Sequence, residues 1–301
     1  MKIGVIVPQG WTGEYKGRNA VEAWQRTRAV AKQAEALGFE SIWLFDHFHT
    51  VPRPTLEITF EAFTSLAALA AETERVRLGH IVLCAAYRNP ALTTKMISTL
   101  DAISAGRAEL GLGAGWKRDE WRAYGYGFPD APERLAILKE TLEVARAMMS
   151  DDRATYSGEH RHVDGAINVP KPVQQPRIPI LVGGNGPNVT WRLAARYADE
   201  LNLDGMTPDE VKEALPTIRA RCEEIGRDPD TLAVSVHTWW EMIKDAGTER
   251  ADLLAGYREL GVSRVIALIR DSADTDEALE RWAADSRAAG AEFAQQAQPR
   301  K

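Results

Sequence analysis

Short apolar runs alternate with longer amphipathic segments along the chain. The runs Lys2–Pro8, Ser41–Phe45 and Val76–Leu83 are largely apolar, which is typical of strands buried on both faces of a parallel sheet. Residues 20–37 instead carry apolar side chains at helical spacing and are followed by Gly38, so they predict a helix. The chain therefore begins with the strand–helix–strand order of an α/β protein.

The same alternation continues towards the C-terminus. Further strands are predicted at 107–113, 178–182, 200–203, 231–239 and 264–269, and further helices at 57–74, 90–104, 132–149, 188–198, from 207 onwards and at 274–296. Eight strand–helix units without a domain break predict a TIM (β/α)8 barrel that forms a single domain over residues 1–301. An open doubly wound sheet is the alternative, since one miscounted strand would remove the argument for closure.

Two segments depart from the alternation. Residues 150–177 contain a hairpin pattern around Ser157–Gly158 and then a proline-rich link, so they predict an insertion after strand four. The loop at 113–131 is long and rich in aromatic residues. A loop of that length inside a compact domain usually has a function.

Composition and charge limit the partners and the location that we expect for the chain. The chain has 45% hydrophobic and 27% charged residues, with 37 basic against 43 acidic side chains and a net charge of −6. It contains no basic run, so neither nucleic acid nor an anionic membrane is an expected partner. Its two cysteines, Cys84 and Cys222, are no disulfide framework and fit a reducing compartment. The N-terminal apolar run is too short for a signal peptide and no run reaches transmembrane length, so we expect a cytoplasmic protein.

The carboxyl ends of the predicted strands carry the candidate chemistry, because the active sites of TIM barrels lie at that face. Strand two is followed by Asp46 and His47. His47 is either a hydrogen-bond donor or proton carrier beside a redox ring, or a structural residue bonded to a backbone carbonyl. Cys84 follows strand three and is expected to be a small buried residue rather than a nucleophile.

Glycine-rich loops follow strands four and five. The first, Gly111-Leu-Gly-Ala-Gly115, resembles a dinucleotide-binding fingerprint only superficially, because its spacing is not Gly-x-Gly-x-x-Gly. The second, Gly183-Gly-Asn-Gly186, precedes Pro187 and a predicted helix. It is either a tight turn or a phosphate site at a helix N-terminus, and the second interpretation is favoured.

Aromatic and histidine positions leave further interpretations open. Trp11, Trp116 and Trp239 predict an aromatic, largely apolar pocket for a small organic substrate, although such residues can also merely cover a barrel mouth. A zinc hydrolase is the rival chemistry, since His47-Phe-His49 places two imidazoles on one face. His237 lies inside the predicted strand seven, so the histidine set is incomplete and we expect no metal.

Together these motifs resemble the bacterial luciferase-like flavin and deazaflavin oxidoreductases. The resemblance is carried, in order along the chain, by residues 38–48, 77–80, 87–90, 99–107, 109–116, 180–187 and 195–199. Within that family, the Asp-His-Phe-His sequence at 46–49 and the Gly-Trp-Lys-Arg-Asp-Glu-Trp loop at 115–121 are typical of the branch that depends on coenzyme F420, a 5-deazaflavin.

The resemblance implies a TIM barrel, commonly in a homodimer, and roles for its site residues. Asp46 and His47 would be catalytic and flank the deazaflavin ring, and Cys84 and Ala85 would lie at a non-proline cis peptide behind it. The ribityl and phosphate part would be held by Gly113, Ala114, Gly115, Gly183, Gly184, Asn185 and Gly186.

Trp116 departs from the pattern of one relative. The family member that oxidises glucose 6-phosphate has a glutamate at this place, so neither a sugar-phosphate substrate nor that proton donor is expected here. The leading hypothesis is hydride transfer between C5 of F420 and a small organic substrate. The alternative is a monooxygenase that uses reduced flavin mononucleotide (FMN) and oxygen. A third possibility is a non-catalytic flavin-binding protein, because a barrel can keep a cofactor site and lose its substrate pocket.

Overall fold

The structure is a computed structural model that describes residues 1–294. Its strands are β1 (Lys2–Ile6), β2 (Ser41–Leu44), β3 (Arg77–His80), β4 (Leu83–Cys84), β5 (Ala108–Gly113), β6 (Ala154–Ser157), β7 (His162–Ala166), β8 (Ile180–Gly183), β9 (Glu200–Asp204), β10 (Ala233–Thr238) and β11 (Arg264–Leu268). Its α-helices are α1 (Ala20–Leu37), α2 (Ala62–Glu72), α3 (Pro90–Ile103), α4 (Arg118–Ala123), α5 (Ala131–Ser150), α6 (Thr190–Tyr197), α7 (Pro208–Glu223), α8 (Trp240–Ile243), α9 (Thr248–Glu259) and α10 (Glu277–Ala288). Within this described part, no helix is both long and apolar enough to cross a membrane.

Parallel strands form a closed barrel. The order around the sheet is β3, β2, β1, β11, β10, β9, β8 and β5, and the short β4 extends the third position alongside β5. Leu78 on β3 pairs with Ala108 on β5, which closes the ring. The predicted TIM barrel is therefore confirmed, and the closing pair excludes the open sheet. The single-domain organisation over 1–301 stays a prediction.

Local sequence signals set several helix ends. Asn19 accepts a hydrogen bond from the Glu22 N–H (3.0 Å) and caps α1, and Gly38 ends that helix with φ at 87°. Thr207 and Glu210 form a reciprocal capping box at the start of α7. The predicted helix end at Gly38 and helix start at Thr207 are thus confirmed.

Other predicted boundaries were too wide. Helix α2 begins at Ala62 rather than at residue 57, because the Glu61 carboxylate caps its first free N–H groups. The last helix is the shorter α10, and residues 295 and 296 of the predicted helix lie outside the described part of the chain. The predicted loop at 113–131 contains α4, which turns out to carry a residue of the site.

The third barrel position is interrupted between β3 and β4. The peptide bond between Ile81 and Val82 is cis, so the expectation of a non-proline cis peptide at Cys84 and Ala85 is wrong in position. The pairing also changes there: β3 pairs with both β2 and β5, and the Ile81 N–H still bonds to the Leu44 carbonyl, whereas β4 pairs with β5 alone among the described strands. The apolar run at 76–83 continues through this interruption, so the sequence does not reveal it.

The predicted insertion forms an antiparallel hairpin of β6 and β7. The buried Glu140 carboxylate of α5 accepts hydrogen bonds from the N–H groups of Glu159, His160 and Arg161 at the hairpin tip (2.9, 2.9 and 2.7 Å). The Arg161 guanidinium lies 3.3 Å from the Ala85 carbonyl oxygen. The insertion therefore packs behind the loop that follows β4.

A buried ionic cluster closes the N-terminal end of the barrel. Arg264 at the start of β11 contacts the carboxylates of Glu40 (3.2 Å), Glu109 (3.0 Å) and Glu200 (2.6 Å). Burial opposes ionisation, but the charges of Arg264 and Arg77 outweigh it at Glu109 and lower the pKa of that carboxyl. At Glu200 burial dominates and raises the pKa. The cluster ties together β5, β9 and β11 at the end opposite to the candidate site.

Candidate active site

A cavity of about 390 Å³ opens at the C-terminal ends of the barrel strands. Its volume is usual for a small-molecule site. Aliphatic and aromatic side chains make up much of its wall, and the polar side chains on it are Asp46, His47, Cys84, Tyr87, Lys117, Asn185, Thr190, Asn202, Asp204 and His237. The cavity is therefore apolar with a few fixed polar groups.

His47, just beyond β2, is held by a carboxylate that the sequence analysis missed. Its Nδ1 lies 2.8 Å from Oε2 of Glu120, a residue of α4. The Glu120 side chain is fully buried, whereas the His47 side chain keeps 11% of its surface exposed. Among residues 1–294, the opposite nitrogen, Nε2, has no hydrogen-bond partner. The pair thus fixes the imidazole and leaves Nε2 as the nitrogen available to a ligand.

Glu120 is the centre of a small buried network. Besides His47, it accepts hydrogen bonds from the Phe48 N–H (2.7 Å) and the Tyr87 hydroxyl (3.0 Å). Burial alone would raise the pKa of Glu120, but these hydrogen bonds and His47 outweigh it and lower the pKa below its ordinary value. Burial and the charge of Glu120 raise the pKa of Tyr87. The network therefore holds an ionised carboxylate against the imidazole.

Asp46 is bound to other residues of the chain. Arg88 donates one hydrogen bond to each of its carboxylate oxygens (both 2.8 Å), and the Cys84 N–H donates another (2.9 Å). Arg88 also binds Glu61 at 2.8 Å. Asp46 is 3% exposed, so it anchors the end of β4 to that of β2. Burial raises the pKa of the Cys84 thiol to about 12, which agrees with a small buried residue rather than a nucleophile.

The glycines after β5 and β8 make room for the cavity floor. A Cβ on Gly113 would lie 2.6 Å from Cγ2 of Val82, and one on Gly183 would lie 3.0 Å from Cγ1 of the same side chain. Val82 therefore packs between the ends of the two strands, and together with Ile81 it forms part of the cavity lining. A Cβ on Gly115, whose φ is 77°, would lie 2.5 Å from Sγ of Cys84. These glycines serve close packing of the floor rather than a dinucleotide fingerprint.

The loop after β8 is fixed and presents free donors. The Gly184 N–H bonds to the Asn202 carbonyl (3.0 Å), and the Trp191 indole donates to the Gly184 carbonyl (3.1 Å). Within the described residues, the backbone N–H groups of Asn185 and Gly186 have no hydrogen-bond partner. Thr190, the first residue of α6, lies on the cavity wall. Free N–H groups before a helix start suit a phosphate.

The three predicted pocket tryptophans lie around His47. The Trp11 ring stacks on the imidazole with centroids 4.4 Å apart and planes 7° apart. Trp116 meets the imidazole edge-on at 5.9 Å and is 61% exposed. Trp239 lies 6.0 Å from Trp11. The structure thus joins these residues into one aromatic wall.

A second carboxylate–histidine pair lies across the cavity, at the ends of β9 and β10. Oδ1 of Asp204 is 2.9 Å from Nδ1 of His237. The His237 side chain is 4% exposed, whereas the Asp204 side chain is 52% exposed. The Trp239 ring lies 4.5 Å from the His237 ring. Asp204 therefore presents a carboxylate edge to solvent and ligand.

Two of the predicted cofactor residues lie off the cavity wall in the described structure. Ala85 is buried with its carbonyl towards Arg161, and Gly186 packs against Thr190. The wall includes the other predicted site residues, which are Trp11, Asp46, His47, Cys84, Gly113, Ala114, Gly115, Trp116, Gly183, Gly184, Asn185 and Trp239.

Sequence reasoning missed three residues of this site. Glu120 was overlooked because the segment around it was interpreted as a loop, although the charged run at 117–120 between two tryptophans is a helix-like signal. Asp204 is the last residue of β9, whereas the sequence predicted that this strand ends at residue 203. His237 lies inside β10 as predicted, one residue before that strand ends at Thr238, and its side chain lines the cavity.

The histidines give the zinc alternative no support. Nδ1 of His47 is taken by Glu120, and Nδ1 of His49 faces the Thr50 carbonyl at 3.1 Å. Among residues 1–294, no three His, Cys, Asp or Glu side chains are grouped so that they could hold a metal ion.

Comparisons with known proteins show to which family the chain is similar. The family model for luciferase-like monooxygenases matches residues 1–299. An uncharacterized protein of Mycobacterium tuberculosis is 31% identical over 275 residues, covering 85% of this chain and 92% of that protein. An F420-dependent glucose-6-phosphate dehydrogenase of Microbacterium testaceum is also 31% identical over 275 residues, covering 83% of this chain and 80% of that protein.

A solved structure shares the fold over nearly its whole length. It is an F420-dependent secondary alcohol dehydrogenase in complex with an F420–acetone adduct. Its TM-score is 0.81 at 20% sequence identity, over 96% of this chain and 98% of that one. At that identity, the likeness concerns the fold.

Proposed function

Because this chain belongs to the luciferase-like monooxygenase family, we propose that it is an F420-dependent oxidoreductase that transfers a hydride between the deazaflavin C5 and a small organic substrate. The observation that carries the proposal is the His47–Glu120 pair on the wall of a cavity bounded by two glycine loops. The F420 dependence stated for the Microbacterium relative supports the choice of cofactor.

The residues of the cavity fit a deazaflavin. A flat ring needs an apolar floor, and Ile81 and Val82 lie between the two glycine loops where that floor is required. The phosphate of the cofactor needs an N–H donor, which Asn185 offers on the cavity wall beside Thr190. When bound in its reduced form, F420 supplies a hydride.

His47 supplies the proton function. Reduction of a carbonyl or an activated alkene requires a proton in addition to the hydride, and Nε2 of His47 can hold it. The Glu120 carboxylate stabilises the protonated imidazole and keeps Nδ1 as the donor to itself. Asp46, neutralised by Arg88, is assigned a positioning role instead of the catalytic role first expected.

Cofactor titration tests the proposal. Purified apoprotein is mixed separately with oxidised and reduced F420 and with oxidised and reduced FMN, and binding is followed by fluorescence and calorimetry. We expect micromolar dissociation constants for F420 and binding of FMN at least about tenfold weaker, a difference of about 1.4 kcal/mol. Tight FMN binding with none for F420 would point to the monooxygenase alternative.

Turnover tests the role of His47. Oxidation of reduced F420 is followed with a panel of enones and ketones, and reduction of oxidised F420 is followed with a panel of alcohols. His47→Ala should lower the rate by about 100-fold or more, because it removes the proton carrier, while the melting temperature changes little. His49→Ala is the matched control, since the His49 ring bonds to the Thr50 carbonyl and lies off the cavity wall. If His47→Ala lowers the melting temperature strongly as well as the rate, His47 has a structural role instead.

Binding without turnover over the whole panel would favour the third hypothesis, a non-catalytic flavin-binding protein. The resemblance also supports a homodimer, and the two cysteines fit a cytoplasmic location; both are parts of the proposal. Light scattering on the purified protein measures the first, and cell fractionation measures the second.

A further inference from the structure

We propose that the Asp204 side of the cavity recognises the substrate and selects molecules that carry a cationic nitrogen, such as a protonated or quaternary amine. This inference deepens the proposed function, because it assigns the substrate to the rim formed by β9 and β10 and leaves the glycine loops to the cofactor. It is carried by three observations: Asp204 is rigid, its charge is uncompensated, and an accessible indole ring lies beside it.

Asp204 is fixed from three directions. Its backbone N–H donates to Oδ1 of Asn185 (2.8 Å), and its carbonyl accepts from Nδ2 of the same side chain (2.7 Å). Its carboxylate oxygen Oδ1 contacts His237 at 2.9 Å. The remaining carboxylate edge belongs to a side chain that is 52% exposed on the cavity rim. Its position therefore costs little further ordering when a ligand binds.

The charges on the cavity wall leave Asp204 as the unbalanced one. Asp46 forms two hydrogen bonds with Arg88. Lys117 contacts Asp119 and the Pro52 carbonyl (both 3.1 Å). Asp204, by contrast, has no Lys or Arg within ion-pair distance among residues 1–294. The Asp204 carboxylate is consequently a negative charge on the substrate side, which attracts a cation.

An aromatic face completes the recognition site. Trp239 lies over the backbone next to Asp204, since a Cβ on Gly205 would be 2.8 Å from its ring. Trp11 lies 6.0 Å from Trp239 but is 2% exposed and stacks on His47, so Trp239 supplies the accessible ring. A carboxylate beside an indole ring is an arrangement that binds substituted ammonium groups, because the ring face is also electron-rich.

Probe binding tests the inference without knowledge of the natural substrate. Phenyltrimethylammonium, benzyl alcohol and benzenesulfonate share one ring and differ in charge. Each is titrated by calorimetry into the protein saturated with F420, for the wild type, Asp204→Asn and Asp209→Asn. Asp209 is exposed on the first turn of α7, so its variant removes the same charge outside the cavity.

We expect the wild type and Asp209→Asn to bind the cation at least about tenfold more tightly than the sulfonate. Asp204→Asn should lose that preference and keep its affinity for F420 within about twofold. Failure of the cation to bind the wild type, or equal cation affinity in wild type and Asp204→Asn, would overturn the inference. If Asp204 merely holds His237 in place, its variant would lose stability and leave the preference for the cation intact.

The same experiment separates this inference from the proposed function. The initial titration with F420 reports on the cofactor alone. If F420 does not bind, the proposed function fails, and the three probes are titrated into the apoprotein, where Asp204 and Trp239 still offer the cation site. A charge preference that depends on Asp204 there would sustain the rim assignment.

Discussion

Glu120 decides what His47 can do. An imidazole at a barrel rim is ambiguous by itself, because either ring nitrogen can donate or accept. The contact of Glu120 with Nδ1 removes that ambiguity and points the free nitrogen to the ligand side. Trp116 stands where the relative that oxidises glucose 6-phosphate has a glutamate, but the site still contains a carboxylate. Glu120 lies four residues further along the same segment and contacts His47.

Glu120→Gln is expected to lower turnover by roughly 10- to 100-fold with little change in affinity for F420. The amide keeps the shape but loses the charge that stabilises the protonated imidazole. Steady-state kinetics separates kcat from KM. Glu133→Gln, at an exposed carboxylate on the first turn of α5, is the control and should behave as wild type.

The same variant has a defined pH dependence of stability. The folded-state pKa of Glu120 is lowered, so its contribution to the free energy of unfolding is present above the ordinary carboxyl value of about 4.5 and is lost as the pH falls through the folded value. Urea unfolding at pH 7 should therefore show a larger deficit for Glu120→Gln than unfolding at pH 4. A deficit that is independent of pH would contradict an ionised Glu120.

At the scale of elements, the seam between β3 and β5 closes the barrel and brings the site together. The strands approach so closely that a Cβ on Gly111 would lie 1.9 Å from the His80 carbonyl oxygen. Glycine is required here because the His80 backbone leaves no room for a Cβ. The φ of Gly111 is outside the left-handed region, so its backbone conformation alone would accept another residue. The glycine run after strand four therefore serves the seam at Gly111 and the cavity floor at Gly113.

Gly111→Ala should lower the free energy of unfolding by more than about 3 kcal/mol, since backbone must move to admit the methyl group. Gly125→Ala is the control: nothing lies within 4 Å of its Cβ position, and only its φ of 81° is unfavourable to alanine. That strain costs about 1–2 kcal/mol. Urea denaturation compares the two, and equal deficits would show that the seam tolerates a side chain.

At the scale of the whole molecule, opposite ends of the barrel have different tasks. The N-terminal end is filled by Arg264 and three carboxylates, which join strands that are far apart in the sequence. The C-terminal end is left open as a cavity lined by residues of β4, β5, β8, β9 and β10 and by residues that follow β1, β2 and β3. Stability and function are therefore separated along the barrel axis, as is usual in this fold.

Arg264→Leu should destabilise the protein by about 3–5 kcal/mol at pH 7.5, because it leaves buried carboxylates without a counter-charge. Glu200 already has a raised pKa, and loss of the arginine raises it further, so the folded state gains stability as these groups take up protons at lower pH. The deficit against wild type should therefore shrink between pH 8 and pH 5. Arg281→Leu removes an exposed pair with Glu277 and should change stability by less than about 0.5 kcal/mol.

The sequence by itself determined the barrel, the hairpin insertion and the helix boundaries at Gly38 and Thr207. Alternating apolar runs, glycine ends and capping residues act over a few neighbouring positions, so their pattern is visible along the chain. It also placed His47, the three pocket tryptophans and most of the glycine-loop residues at the correct rim, because strand ends of a barrel share one face.

Only the tertiary structure decided which side chains pair with these residues. Glu120 meets His47, Arg88 meets Asp46, and Asp204 meets His237 across strands or loops that are distant in sequence. The proposed roles of proton carrier, positioning residue and recognition residue rest on those pairings. Because charge compensation depends on distances that the closed ring sets, no local pattern could reveal which carboxylate on the cavity wall lacks a Lys or Arg partner among residues 1–294.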